Sequence, residues 1–275
     1  MEWGRAKNLL LVFFILLNLV LAGLIFMENL RYTVTGDQEA LIRSVLAQHN
    51  ISMYTEMIHR FPPMRALQVS GYYYNEEELL AIFFHDPAMV ERVEFPGGVD
   101  FIYGNAIMFI DSGFVTYFNP DGLGISVEAF IETHFPDFIR DYHFTPHDEE
   151  GLRVIYRQAY RGYMVYSNYI EFLVTERGII EVDMQFGRII GFDGSAHNLF
   201  APDEALITFL QRVQATMGNQ PVTIRHMDIV YFLEFDAASD EYGSTHHAIP
   251  FYRIFIEESE MPFLINAYMN VSIDV

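Results

Sequence analysis

Residues 9–27 read LLLVFFILLNLVLAGLIFM, nineteen residues without a charge, interrupted only by Asn18 and Gly23. A helix of that length spans about 28 Å, close to the ~30 Å hydrocarbon core of a bilayer, and it satisfies its own backbone there. No other apolar run in the chain approaches it. After it the pattern changes to short periodic stretches broken by Pro, Gly and Asn. Thr35-Gly36-Asp37-Gln38 has capping-box spacing, and Leu41 and Val45 follow at helical intervals as far as Asn50. Pro62-Pro63 bars a long helix next, and residues 66–74 read as a strand. Asn75, ahead of three Glu residues, caps a short helix that Pro87 stops. Residues 101–118 predict one or two strands, closed by the turn Asn119-Pro120-Asp121-Gly122, and Ser126 opens a helix to about Phe135.

From Leu152 the period becomes two. Ile180, Val182, Met184 and Phe186 alternate with Glu181, Asp183 and Gln185, which predicts a half-buried hairpin with residues 163–174 across the turn Glu176-Arg177-Gly178. Residues 189–192 are expected to be the last strand of that group. Pro202-Asp203-Glu204 opens a helix with Leu206, Phe209, Leu210 and Val213 inward and Gly218 at its stop. Three more strands are expected, at 222–235, 249–256 and 263–271, with the polar stretch 236–241 as a hairpin loop. The expected fold class is α+β: a single N-terminal transmembrane helix, then two extracytoplasmic domains of helices packed on antiparallel sheets. In that reading residues 1–7 are a cytoplasmic stub, 8–27 the anchor, 28–124 the first domain and 125–275 the second.

Charge sets the orientation. Arg5 and Lys7 precede the span, and Trp3 is placed to sit at the interface. The positive flank predicts a cytoplasmic N-terminus and an extracellular C-terminal part on a single-pass cell-membrane protein. A cleaved signal peptide would have an apolar region of about 7–15 residues ending in small residues at A-x-A spacing. Here Ala22-Gly23 is followed by Leu24-Ile25-Phe26-Met27, still apolar, so an uncleaved anchor is expected. The formal net charge is −21, from 16 basic and 37 acidic residues. Only Glu2, Arg5 and Lys7 precede the span, so 14 Arg against 36 acids lie beyond it. Such a domain repels nucleic acid and anionic lipid. With no Cys it has neither disulfides nor a lipoprotein cysteine, and it must hold together by packing.

Candidate chemistry is thin. His134, Asp141, His143, His147, Asp148 and Glu149 gather metal-type side chains, but Pro146 argues against the helix that would put His143 and His147 on one face, and a solvated acidic loop is expected. His246 and His247 are adjacent and would face opposite ways on a strand. Tyr72, Tyr73 and Tyr74 are expected to cover a sheet. There is no G-x-S-x-G, H-E-x-x-H or P-loop. No catalytic residue, metal site or cofactor is therefore assigned, and an enzyme is not expected. Within the span, Asn18 lies at mid-membrane with Ala22 and Gly23 about one turn on, a set suited to contact with a partner helix.

Two resemblances follow. Gln38-Glu39-Ala40-Leu41-Ile42, Val127-Glu128-Ala129-Phe130-Ile131 and Asp203-Glu204-Ala205-Leu206-Ile207 each open a helix, the last two ahead of strand patterns. They resemble the PepSY-type module, a helix packed on a small antiparallel meander, though the same string is also an ordinary helix start. Met1-Glu2-Trp3-Gly4-Arg5-Ala6-Lys7, running into a span with Phe14-Ile15-Leu16-Leu17-Asn18, resembles the start of the YycI (WalI) family. Ile249-Pro250-Phe251-Tyr252-Arg253-Ile254 and Phe263-Leu264-Ile265-Asn266-Ala267 are similar to its closing strands, without the Trp often found there. The resemblance implies a membrane-anchored regulator of the sensor histidine kinase WalK (YycG). It would pair with a YycH-like protein and contact the kinase through its span. The alternatives are an anchored envelope enzyme, a ligand or metal binder, or a PepSY-like protease inhibitor.

Overall fold

The structure is a computed structural model that describes residues 2–70, 75–111, 114–147, 151–185, 187–233, 245–259 and 261–273. Along residues 2, 4–6, 25–26, 28–29, 141–147 and 151 it describes the backbone alone. The apolar run forms helix α1, Glu2–Arg31. Within it Lys7–Leu24 is long and apolar enough to cross a membrane, and none of that stretch is covered by the rest of the protein.

Helix α2 (Gly36–Gln48) starts where its local chemistry dictates. The Thr35 side chain accepts from the Gln38 N–H, and the Gln38 side chain accepts from the Thr35 N–H, satisfying two otherwise orphaned donors. Strands β1 (Ile51–Met53) and β2 (Met64–Ser70) follow. Asn75 caps helix α3 (Glu76–Phe83), its side chain accepting from the Glu77 N–H. A 3₁₀ turn at Pro87–Met89 leads into a four-stranded meander: β3 (Glu91–Phe95), β4 (Gly98–Tyr103), β5 (Ala106–Asp111) and β6 (Phe114–Phe118). The sequence had suggested one or two strands where β4 to β6 lie. The tight turn at residues 104–105 leaves little punctuation between β4 and β5.

Ser126 caps helix α4 (Val127–His134), as its spacing predicts. Next come β7 (Phe138–His147), β8 (Gly151–Tyr160), β9 (Tyr163–Thr175) and β10 (Gly178–Gln185). Strand β7 replaces the expected solvated loop: it pairs antiparallel with β8 from Phe138 opposite Gln158 to His147 opposite Gly151. Its polar residues hid the strand. In β10 the buried apolar residues are Ile179, Val182 and Met184 rather than a strict alternation from Ile180, and Gln185 is buried beside them. A bulge between Ile179 and Glu181 shifts the register by one, which moves the inward position.

Strand β11 (Ile189–His197) is longer than the expected 189–192 and pairs with β2 rather than within the group it was expected to close. Helix α5 (Pro202–Met217) then buries Leu206, Phe209, Leu210 and Val213, as its pattern predicts. It is followed by β12 (Val222–Leu233), β13 (Thr245–Ile256), β14 (Phe263–Asn266) and β15 (Val271–Ile273). The expected loop 236–241 and Tyr72–Tyr74 lie outside the described residues.

The architecture is α+β. One large, mainly antiparallel sheet runs in the order β11-β2-β13-β12-β9-β10-β6-β5-β4-β3, with β7 joined through β8 to β9, β1 paired with β12, and β15 joined through β14 to β13. Two large apolar clusters sit on it, beside a small third one of Tyr166, Val230, Phe251 and Leu264. One gathers α2, α5, β1, β2, β12 and β13, among them Leu46, Leu67, Phe209, Ile224 and Tyr252. The other gathers α3, α4 and the strands from β4 to β10, among them Phe83, Met108, Tyr117, Phe130 and Phe172. The first takes residues from both ends of the chain, and the second holds α3 and α4 together.

The two halves meet at β9. Its C-terminal part pairs with β10 and its N-terminal part reaches β12 at Val165. At the seam the buried Asn168 amide donates to Gln158 Oε1 (2.7 Å) and the Gly187 carbonyl (3.1 Å), and its oxygen accepts from the Gly187 N–H (3.3 Å). Residue 187 must be glycine, because a Cβ there would stand 2.4 Å from the Ser70 carbonyl oxygen.

Candidate functional site

The apolar helix and its junction with the folded part form the most distinctive feature of the molecule. Helix α1 does not end in a flexible linker. Directly after Arg31 the chain is pinned to the first cluster: Val34 donates its N–H to the His59 carbonyl (2.8 Å) and Phe61 donates to the Tyr32 carbonyl (3.1 Å). The Tyr32 ring meets Phe61 edge-on at 6.2 Å, and its hydroxyl donates to Asn198 Oδ1 (3.0 Å). A cleft of about 310 Å³ opens here, bordered by Arg31, Val34 and Phe61 and by the first turns of α2 and α5 through Gln38 and Glu204. The Glu204 carboxylate also turns back to accept from the Ala201 N–H (2.8 Å). The sequence reading did not single out Tyr32, Phe61 or Asn198. The aromatic immediately after Arg31 was the available signal.

On α1 itself, Trp3 is 84% exposed, Lys7 is exposed, and the Arg5 side chain is not described. Asn18 and Ala22 are four residues apart and share one stripe, while Gly23 lies about 100° further round the helix. The Asn18 amide donates to the Phe14 carbonyl one turn earlier at 2.7 Å. That bond uses one of the two amide donors and leaves the other outward.

Two polar constellations occupy the sheet face away from the helices. In the first, Arg253, only 2% exposed, donates Nε and Nη2 to the two oxygens of Asp228 (2.9 and 2.7 Å). Its guanidinium lies 5.3 Å from the Tyr166 ring and 4.9 Å from Phe255, and Arg157 covers Tyr166 at 4.0 Å. Burial works to raise the Asp228 carboxyl, but hydrogen bonds from His226 and Arg253 and their charge prevail and hold it below the usual carboxylate range. In the second, Arg153 pairs with Glu171 and lies 3.5 Å from Glu181. Burial, then the hydrogen bond and charge of Asp183, push Glu181 above its ordinary value.

An open cleft of about 680 Å³ beside α3 is bordered by Phe84, His85, Tyr103, Asn105 and Asp121, of which His85, Tyr103, Asn105 and Asp121 are exposed. The other sequence candidates do not converge. His143 and His147 lie on strand β7 rather than a helix, and their side chains, with residues 148–150, fall outside the description. His247 pairs with Asp193 at 2.7 Å on the surface. Among the described residues, no three His, Asp or Glu side chains stand together as a metal-holding group.

Comparison with known proteins gives the fold a neighbour. No family model matches the sequence, and no curated protein matches it. Solved structures do match. One is an uncharacterized protein from Eubacterium rectale, 10% identical, with a TM-score of 0.54 over 82% of this chain and 91% of that one. Another is YycH from Bacillus subtilis, 11% identical, with a TM-score of 0.45 over 77% of this chain and 56% of YycH. The fold is thus shared along nearly the full length of that uncharacterized protein. The chain spans about half the length of YycH.

Proposed function

We propose that this protein is a single-pass regulator of the YycI type, anchored by α1, that acts on a cell-wall sensor histidine kinase by contact rather than by catalysis. The reading takes its family from the N-terminal and C-terminal resemblances. The observation that carries it is the junction. A helix of 30 residues, longer than a bilayer core requires, runs into a hydrogen-bonded foot on the first cluster. With no slack between them, a shift of the folded part is delivered to the span as a tilt or rotation. A partner kinase with two arrangements of its own spans then responds if α1 fits one of them better. A YycH-like protein is the expected companion of the extracellular part. The side of the membrane follows from Arg5 and Lys7.

Asn18 is the test position, since its outward donor can reach a partner helix. Asn18→Leu in the full-length chain is expected to lower co-purification of the kinase by about threefold to tenfold, the range of one interhelical hydrogen bond. Thermal unfolding of the folded part should not move. Unchanged kinase recovery together with unchanged kinase output would contradict the proposal.

A further inference from the structure

Strand β3 stands at one margin of the sheet. It pairs with β4 from Glu91 opposite Ile102 to Phe95 opposite Gly98, and among the described residues no strand pairs with its other side. All of its residues are exposed. Only Pro96 and Gly97 separate β3 from β4, so Phe95 and Gly98 exchange backbone hydrogen bonds across the turn. Alternation then gives the same role to Val93 with Asp100 and to Glu91 with Ile102. The backbone N–H and C=O groups of Arg92 and Glu94 are left pointing to the open side.

An open edge is a template for another strand, and natural sheets usually blunt it with charge. Here the charges stand in a self-complementary order, Glu91-Arg92-Val93-Glu94-Phe95. A second copy can add antiparallel only by setting its outward-facing residues against these. Within the strand that allows Arg92 against Arg92, Glu94 against Glu94, or Arg92 against Glu94. The first two oppose like charges, which is destabilising in a cross-strand pair. The third satisfies both ion pairs at once and puts Val93 on the two-fold axis, as a two-fold contact requires. Val93 and its symmetry mate then form a closely spaced pair without backbone bonds between them. Exposed Val93 and Phe95, the latter stacked on Phe109 at 5.6 Å, extend across the junction. The present partners of Arg92 are Glu94 and, at 3.3 Å, Glu76, all on the surface, so the exchange costs little.

We propose that β3 is a homodimerisation edge, through which two copies of this chain join their sheets antiparallel with Arg92 facing the partner's Glu94. The interface is short and belongs to the transient class. It goes beyond the regulatory reading and stands or falls independently of the kinase.

The chain contains no cysteine, so introduced thiols report cleanly. Full-length Val93→Cys in membranes, treated with a mild oxidant, is expected to give a disulfide-linked dimer. Ile107→Cys, exposed but two strands away, should remain monomeric. In the Val93→Cys background, Arg92→Glu or Glu94→Arg alone should lower the cross-linked fraction about fivefold. The Arg92→Glu and Glu94→Arg chains mixed together should restore it, because one then offers two acids and the other two cations. The double reversal in one chain should restore it as well, which separates lost pairing from misfolding. Cross-linking of Val93→Cys no greater than that of Ile107→Cys would overturn the proposal. So would indifference to the single reversals, or failure of both the mixture and the double reversal to recover.

Discussion

Asp228→Ala is expected to destabilise the protein by about 3–5 kcal/mol, the cost of breaking a buried ion pair from one side. Arg253 is 2% exposed and both bonds that bind it to Asp228 would be lost together. Tyr166 and Phe255 offer the guanidinium their ring faces. Water can reach Asp228, which is 29% exposed, so the lower end of the range is favoured. Replacing the pair together, as Asp228→Leu with Arg253→Met, should cost much less than the single change, because no charge is then left without its counter-ion. The pair also fixes a pH dependence. The folded carboxyl titrates below its unfolded value, so its contribution is complete above about pH 4 and is lost as pH falls through the folded pKa. Asp228→Asn should flatten the acid limb of the stability curve. Chemical denaturation from pH 2 to 7 measures both effects, and an unchanged midpoint for Asp228→Ala would show that Arg253 is not held as described.

Phe209→Ala is expected to cost a similar amount, about 3–5 kcal/mol. The ring is fully buried on α5 and meets Phe263 edge-on at 5.1 Å. The informative outcome is where the loosening spreads. The cluster around Phe209 includes Ile42 and Leu46 of α2 and Leu67 of β2, more than 140 positions earlier in the chain. Amide exchange in α2 and β2 should therefore accelerate with that of α5, while the α4 region, in the other cluster, stays protected. Faster exchange confined to α5 would contradict a core built from both ends of the chain.

Those two sites also show what the sequence could convey. Helix starts are local, and Thr35, Asn75, Ser126 and Pro202 announce them within a turn. The inward stripe of α5 is likewise a property of its own residues. Strand partnership is not local. Nothing within residues 189–197 says that β11 pairs with β2 rather than β10, and nothing near Ile51 says that β1 runs parallel to Val222–Ile224. Strand β3 is exposed on both faces, so it lacks the alternation that betrays a half-buried strand. The Arg253–Asp228 pair left one faint signal, a single charge inside the apolar run 249–256. The foot of α1 left less, since Tyr32 and Asn198 are 166 positions apart.

What the account requires above all is that α1 stays attached and stays in the membrane. The direct measurement is the N-terminal sequence and intact mass of the protein recovered from alkali-washed membranes of cells expressing the full chain. One membrane-bound species is expected, in which Trp3 and Lys7 remain joined to the folded part. A mature chain beginning at or beyond Gly23, found free of the membrane, would contradict it.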